Sequence, residues 1–186
     1  MLKRAQFRLR FPEADIARWA TRFGDDGSDD EILGNIRPLV LARGHLTRPE
    51  FLKICAWKSV RTKSSCRRNG GHNVETLTRA AFATPDEALK ISLLRLLDGV
   101  EWPTASTILH FCDTRAYPIL DYRALWSLGF ANPPRYAMEF WLAYLAFTRG
   151  LALRLGVPIR TVDKALWQYS KERQKFGSTR THEGAP

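Results

Sequence analysis

Apolar residues along this chain recur mostly three and four positions apart, the spacing that gathers them on one face of an α-helix. Stretches in which apolar and polar residues alternate, as in a half-buried strand, are brief. The pattern therefore predicts a compact all-α, bundle-like domain. Nine helices are predicted, over residues 12–23, 29–44, 48–62, 73–83, 85–97, 103–112, 121–129, 134–156 and 159–176.

Residues that favour helix ends agree with these bounds. Thr84 and Asp121 have the side-chain oxygens typical of N-cap residues. Glycine, asparagine and aspartate cluster in "GDDGSDD" and "RRNGGHN", which are predicted loops, and residues 177–186 are expected to fray. Prolines in first-turn positions, where a missing amide proton has no cost, are Pro12, Pro49, Pro85 and Pro103.

Composition narrows the class of protein. The 186 residues suffice for one domain with its own core. Lysine and arginine number 29 against 19 acidic residues, and the net charge of +10 favours a polyanionic partner such as nucleic acid. No run approaches the roughly 18 apolar residues that span a bilayer, and no apolar signal segment is seen. Since the cysteines lack CxxC spacing, we expect reduced thiols and a cytoplasmic protein that does not enter a membrane.

The stretch "LLDGVEWPTAST" predicts two helices joined by a tight turn at Asp98 and Gly99. Gly99 supplies a left-handed conformation that ends the first helix, and Pro103 suits the start of the second. The amides of Gly99, Glu101 and the residues near Thr104 are expected to be unpaired, which would make the turn a phosphate-binding site. An ordinary corner between two helices is the alternative on this local pattern.

This turn and the following "YPILD" together resemble the helix-hairpin-helix DNA glycosylases, the superfamily of endonuclease III, the adenine glycosylases and the alkylbase glycosylases. In that pattern, L-x-G-V-G-x-x-T-A leads after a fixed interval to an extended P-[IV]-x-D before a helix. Gly99, Val100, Thr104 and Ala105 occupy the hairpin positions, and Asp121 occupies the catalytic position. The interval equals that of the adenine glycosylases, and the match covers about 35 residues.

The resemblance implies two helical subdomains with the active site in the cleft between them. Residues 30–130 would form the hairpin-bearing subdomain, and residues 1–29 with 131–176 the other. No cofactor would be needed for the chemistry, although the hairpin carbonyls of these proteins often hold a monovalent cation. The hairpin residues expected to contact DNA are Gly99, Val100, Glu101, Trp102, Thr104 and Ala105.

The chain departs from the family pattern at three points. Glu101 replaces the second hairpin glycine and would bring a negative charge toward the phosphate. Pro103 stands where the bifunctional members carry a nucleophilic lysine, which implies base release without strand cleavage. No cysteine follows Cys112, so the iron–sulfur cluster of several relatives is not expected.

Asp121 has two compatible roles. Breaking an N-glycosidic bond develops positive charge on the sugar, which a nearby carboxylate stabilises while it orients the attacking water. The start of a helix favours the ionised form. The alternative is that Asp121 only caps the helix that begins with "YRALW".

The basic aromatic run, residues 55–69, is the candidate base pocket or DNA-contact segment. In it, Trp57 would stack on an extruded base, and Lys58, Arg61 and Asn69 would meet phosphate or a base edge. Tyr122 and Arg123, next to Asp121, are candidates for the same surface. The alternative is that Trp57 belongs to the core and that the cations form a solvated face.

Other residues are assigned to the core or to no site. Trp19, Trp141 and Trp167 have the helical spacing of core residues. Asp163 is expected to pair with an arginine or to cap a helix rather than to act in catalysis. The four histidines, His45, His72, His110 and His182, lack the spacing of zinc ligands, so no metal site is expected.

The sequence therefore favours a monomeric, monofunctional DNA N-glycosylase that acts on double-stranded DNA with a damaged or modified base, associated with the nucleoid if the source is bacterial. A non-catalytic helix-hairpin-helix DNA-binding protein would keep the turn and the basic charge without using Asp121. A structural or partner-binding helical protein would need neither feature.

Overall fold

The computed structural model describes residues 7–24, 27–132 and 134–174. Within these ranges the regular structure is entirely helical, which confirms the prediction of an all-α chain. The predicted frayed tail, 177–186, and His182 lie outside the described residues. The α-helices are α1 (Ile16–Thr21), α2 (Ser28–Glu31), α3 (Arg37–Arg43), α4 (Arg48–Lys58), α5 (Lys63–Cys66), α6 (Gly71–Ala83), α7 (Glu87–Leu94), α8 (Trp102–Cys112), α9 (Tyr122–Ser127), α10 (Met138–Leu155) and α11 (Ile159–Arg173).

The helix bounds differ from the predicted ones where local chemistry intervenes. A π-helical stretch, Ile32–Ile36, joins α2 to α3 within the single helix predicted for 29–44. Pro38 lies two residues after this stretch, in the first turn of α3, and its missing amide proton disturbs the regular hydrogen-bond ladder there. The short helix α5 was not predicted. Asp86, and not Thr84, caps α7, because its carboxylate accepts the Ala88 and Leu89 amides at 2.8 and 2.9 Å.

Packing joins the helices into two groups. In the first, α4 and α3 pack on α8, and α6 and α7 pack together; α7 also contacts α8. In the second, α11 contacts α1, α9 and α10. Helices α7 and α8 flank the predicted hairpin turn at Asp98 and Gly99. A buried ion pair joins them, between Lys90 of α7 and Asp113 at the end of α8. Within the described residues, no single helix is long and apolar enough to cross a bilayer; α10 and α11 pass that test only jointly, with a bend of 106° between them.

The turn between α7 and α8 is pressed against α5. Gly99 has the left-handed conformation expected from the sequence, with φ of +77°. A Cβ atom at this position would lie 2.8 Å from the Ser65 Cβ and 2.9 Å from the Cys66 amide nitrogen. Only glycine fits such a contact without displacement of backbone.

Asn69 holds the same turn from the side. Its amide group donates to the Cys66 and Asp98 carbonyls, each at 2.9 Å, and its side-chain oxygen accepts the Asp98 amide at 2.9 Å. The side chain is buried. These bonds use both donors and an acceptor of Asn69, so this residue fixes the hairpin rather than meeting phosphate or a base edge as predicted.

Replacing Gly99 with alanine is expected to destabilise the fold more than Gly44→Ala does. The two glycines have nearly equal positive φ, +77° and +78°, so each alanine incurs strain of about 1–2 kcal/mol. An added Cβ at Gly44 meets nothing within 4 Å, whereas at Gly99 it collides with α5. In urea unfolding, the free energy of unfolding of Gly99→Ala should be lower than that of Gly44→Ala by at least about 1 kcal/mol. Equal losses would contradict the close contact.

Candidate active site

The chain from α8 to α9 passes through the interior as an extended segment, residues 117–120, all of them buried. In the described part of the chain this segment has no strand partner, so its backbone groups must be satisfied by other means. Side chains from α8, α10 and α11 do so at 2.9–3.3 Å. The bonds run from the Ile119 amide to Asp163, from the Tyr144 hydroxyl to the Ile119 carbonyl, and from the Leu120 amide to Ser106.

Asp121 follows this segment and begins α9. One carboxylate oxygen accepts the Arg123 amide at 2.9 Å, which confirms the N-cap prediction. The other accepts a hydrogen bond from the Lys58 ammonium at 2.8 Å. The exposed fractions of the two side chains are 11% for Lys58 and 19% for Asp121. The ion pair is therefore largely removed from water, but part of it remains accessible to a ligand.

A cavity of about 430 Å³ opens beside this ion pair. Its volume is within the range of small-molecule sites, about 300–1,000 Å³. Helices α4, α9 and α11 contribute most of the wall, and the segment before α9 contributes Ile119. The lining residues are Phe23, Trp57, Lys58, Ile119, Asp121, Ala124, Arg160, Asp163 and Trp167.

Aromatic rings form two sides of the cavity. Trp57 is fixed edge-to-face on Phe111 at 4.9 Å, and Trp167 is edge-to-face on Phe23 at 5.2 Å. The Arg160 guanidinium lies 5.6 Å from the ring centres of both Trp57 and Phe23. Flat apolar surfaces of this kind suit a planar, conjugated ligand.

The charge of Arg160 is matched by Asp29. Their side chains make a forked contact, with nitrogen–oxygen distances of 2.7–3.0 Å. Since Lys58 is bound to Asp121, both of the cationic side chains that line the cavity have a carboxylate partner. Asp163, in contrast, contacts a histidine ring and a backbone amide.

Asp163 reaches the cavity wall from α11 with only 5% exposure. Its hydrogen-bond donor is the Ile119 amide, and the His110 Nδ1 atom lies 3.4 Å away. His110 Nδ1 also lies 2.6 Å from the Tyr117 carbonyl, which can only accept, so this nitrogen carries the proton. Burial raises the pKa of Asp163 to about 8 and lowers the pKa of His110 to about 3. Near neutral pH both groups are therefore uncharged.

The hairpin presents backbone rather than side chains. Among the predicted hairpin contacts, Val100, Trp102, Thr104 and Ala105 have buried side chains. Glu101 is exposed, and its carboxylate accepts from Arg95 at 3.1 Å, which offsets its charge.

Backbone groups at the turn remain available for a ligand. In the described part of the chain no hydrogen bond engages the amides of Gly99 and Glu101. The Leu97 carbonyl accepts the Val100 amide at 3.1 Å and keeps a second lone pair. The predicted monovalent cation would use such carbonyls, and it stays a prediction.

The basic aromatic run lies against the hairpin, because α5 and Asn69 contact the Asp98–Gly99 turn. Arg61 is exposed there, as are Lys63, Arg67 and Arg68. Lys58 and Trp57 instead face the cavity. The run that forms one segment in the sequence is thus divided between two surfaces.

Two further predictions concern Tyr122 and Arg123, which directly follow Asp121 in the chain. Tyr122 is exposed, and the Arg123 guanidinium lies 5.2 Å from its ring centre and 5.3 Å from that of Trp167. Neither Tyr122 nor Arg123 lines the cavity, and their roles stay predictions.

Two residues of the cavity were assigned incorrectly from the sequence. Trp19 and Trp141 are buried as predicted, but Trp167 is half-buried and lines the cavity. Asp163 was expected to pair with an arginine or to cap a helix, and it contacts His110 and the Ile119 amide instead. Among the described residues, no group of histidine, cysteine and acidic side chains is arranged to hold a metal ion.

Comparison with protein-family models, with curated proteins and with solved structures finds no match to this chain.

The buried acid makes stability depend on pH in a defined direction. The pKa of Asp163 is about 8 in the folded chain against an ordinary 3.8, so unfolding releases a proton between these values. Stability is then lost as pH rises through this window, by up to about 1.4 kcal/mol per pH unit. Asp163→Asn removes this loss, and its stability relative to the parent should rise from pH 4 to pH 8 and then level off.

Urea unfolding at a series of pH values measures this effect. The change Glu101→Gln, at an exposed position, controls for the removal of one negative charge. A difference between Asp163→Asn and the parent that does not vary with pH would show that Asp163 is ionised throughout.

Proposed function

We propose that this protein is a monofunctional DNA N-glycosylase, which extrudes a damaged or modified base from double-stranded DNA and hydrolyses its N-glycosidic bond. The observation that carries the proposal is the position of Asp121. Its carboxylate is held by Lys58 and by the first turn of α9, at a cavity with aromatic walls.

Asp121 is suited to the charge that develops on the sugar. The departing base leaves a cationic, oxocarbenium-like sugar, and a fixed carboxylate stabilises it without rearrangement. The Lys58 ammonium and the Arg123 amide each donate to that carboxylate and hold it in one orientation. Water adds to the sugar carbon, with Asp121 positioned to orient it.

The cavity is suited to an extruded base. Trp57 and Trp167 line the cavity and supply aromatic rings for a base to stack on, which is worth about 1–3 kcal/mol per base. Asp163 and Arg160 supply polar groups for the edge of the base. Bases bound after extrusion are recognised by this combination of stacking and edge hydrogen bonds.

The hairpin and the exposed cations of the basic aromatic run are suited to DNA phosphates. The Gly99 and Glu101 amides would bind one phosphate, and Arg61, Lys63, Arg67 and Arg68 lie on the segment that contacts the same turn. These contacts position a duplex without reading its sequence.

Asp121→Asn should bind DNA as the parent does but release bases slower by orders of magnitude. Asparagine keeps the capping oxygen and removes the charge, but it leaves the Lys58 ammonium without its carboxylate partner, so urea unfolding must first show that the variant is folded under the assay conditions. Each 1.36 kcal/mol of lost transition-state stabilisation is tenfold in rate. The measurement is alkali cleavage of abasic sites in duplexes that carry a panel of modified bases.

The matched control is Asp86→Asn, the same change at the cap of α7, which should keep full activity. Full activity in Asp121→Asn would reduce Asp121 to a cap and favour a non-catalytic DNA-binding protein.

Because Pro103 replaces the nucleophilic lysine, borohydride should trap no covalent adduct. A trapped adduct would point to Lys58, the amine beside Asp121.

Binding to duplex DNA should weaken steeply and log-linearly with salt, with little dependence on sequence. The double change Arg67→Gln and Arg68→Gln should lower affinity uniformly and reduce the salt slope by about 0.9 for each phosphate that is no longer neutralised. The same removal of two charges at Arg18 and Arg154, on α1 and α10, should change the slope much less. Equal effects from the two pairs would remove the assignment of the DNA-binding surface, and a flat salt titration would remove the electrostatic argument.

A further inference from the structure

We propose that Asp163 is the general acid of this cavity, which hands its proton to the departing base while Asp121 faces the sugar. The inference rests on the proposed function. It deepens that function by naming the substrate class: bases that leave without a positive charge of their own.

The two aspartates share one cavity but have opposite partners. Asp121 contacts an ammonium and a helix-start amide, both of which stabilise negative charge. Within the described residues, the only basic side chain within 4.0 Å of Asp163 is His110, whose Nδ1 proton is directed to the Tyr117 carbonyl. The cations that could neutralise Asp163 are bound elsewhere, Lys58 to Asp121 and Arg160 to Asp29.

The environment of Asp163 therefore favours the protonated acid. Burial is the largest cause of its raised pKa, about 8, and the negative charge of Asp121 adds to it. Arg160, the Ile119 amide and Lys58 oppose the rise without overcoming it. Two carboxyl groups of one cavity that lie in such different surroundings are suited to divide the roles of acid and anion. The charged or titratable groups facing Asp163 are His110 from α8, Tyr144 from α10, Lys58 from α4, Asp121 before α9 and Arg160 on α11.

Atoms and charges balance in the proposed step. The bond between the sugar carbon and the base nitrogen breaks, and its electron pair goes to the base. The Asp163 proton goes to a ring nitrogen or carbonyl oxygen of that base, so the base leaves neutral. Water bonds to the sugar carbon through its oxygen and releases one proton to solvent, and solvent returns one proton to Asp163.

This chemistry selects among leaving groups. An uncharged base leaves as an anion unless it is protonated, so a general acid accelerates its release. A base that already carries a positive charge, such as 7-methylguanine, leaves neutral without any acid. Asp163 therefore assigns the cavity to uncharged modified bases that present a hydrogen-bond acceptor to α11.

The experiment compares single-turnover base release by the parent and by Asp163→Asn. Asparagine keeps an acceptor for the Ile119 amide but has no proton to transfer. The substrates are the uncharged base that the parent releases fastest, among uracil, hypoxanthine and 8-oxoguanine, and 7-methylguanine in the same duplex. On the uncharged base the variant should be slower by on the order of a hundredfold. On 7-methylguanine its loss should be at least tenfold smaller.

The pH profile provides a readout that a purely structural role would not move. With an uncharged base, the rate of the parent should fall above about pH 8 as Asp163 ionises, and this limb should be missing in Asp163→Asn. With 7-methylguanine no such limb is expected. If the variant does not fold by circular dichroism, or if 7-methylguanine is not released, the parent's profile on the uncharged base decides alone.

The outcomes separate the two proposals. Equal losses on the two bases, a parent that releases only charged bases, or a rate that stays flat from pH 7 to 9.5 would each overturn the role of Asp163 while the glycosylase remains. A limb that persists in Asp163→Asn would belong to another group and would overturn that role as well. No base release by the parent from any duplex would instead remove the proposed function itself.

Discussion

The site depends on an unusual piece of backbone, the buried extended segment 117–120 between α8 and α9. A buried peptide group without a partner costs about as much as a lost hydrogen bond, and in the described part of the chain no neighbouring strand supplies one. Side chains of α8, α10 and α11 take that place. The segment can therefore cross the interior only where α8, α10 and α11 are packed around it. The packing of these helices consequently determines the position of Asp121, the next residue.

The same requirement explains how one cavity holds two aspartates in different surroundings. Asp163 is buried where it accepts the Ile119 amide, and burial favours its protonated form. Asp121 lies one residue beyond the segment, where the start of α9 and Lys58 are available to an anion. The hydrogen bonds of the buried segment and the positions of the two carboxyl groups thus follow from one arrangement of helices. In that arrangement neither aspartate could serve in the position of the other.

The sequence predicted what local rules control. The helical spacing, the glycine at the turn and the cap at Asp121 all follow from interactions within a few residues. Asn69 and Trp167 were misassigned because their roles depend on neighbours far along the chain. A signal for the cavity was present in α11, where Arg160, Asp163 and Trp167 recur at helical spacing on one face. Two charged residues in line with a tryptophan are unusual on a core-facing stripe, but which helix they face could not be read from periodicity.

The contact between Gly99 and α5 has a consequence for anyone who would transplant this hairpin. The turn is shaped on one side by its own helices and on the other by Cys66 and Asn69, which belong to a segment about 30 residues earlier. A graft of residues 87–112 alone would leave an open face where α5 stood and a turn without its lateral hydrogen bonds. A functional transplant must therefore combine two separate stretches of the chain, residues 87–112 and residues 59–69. The hairpin can then be transferred only together with the cations of the second stretch.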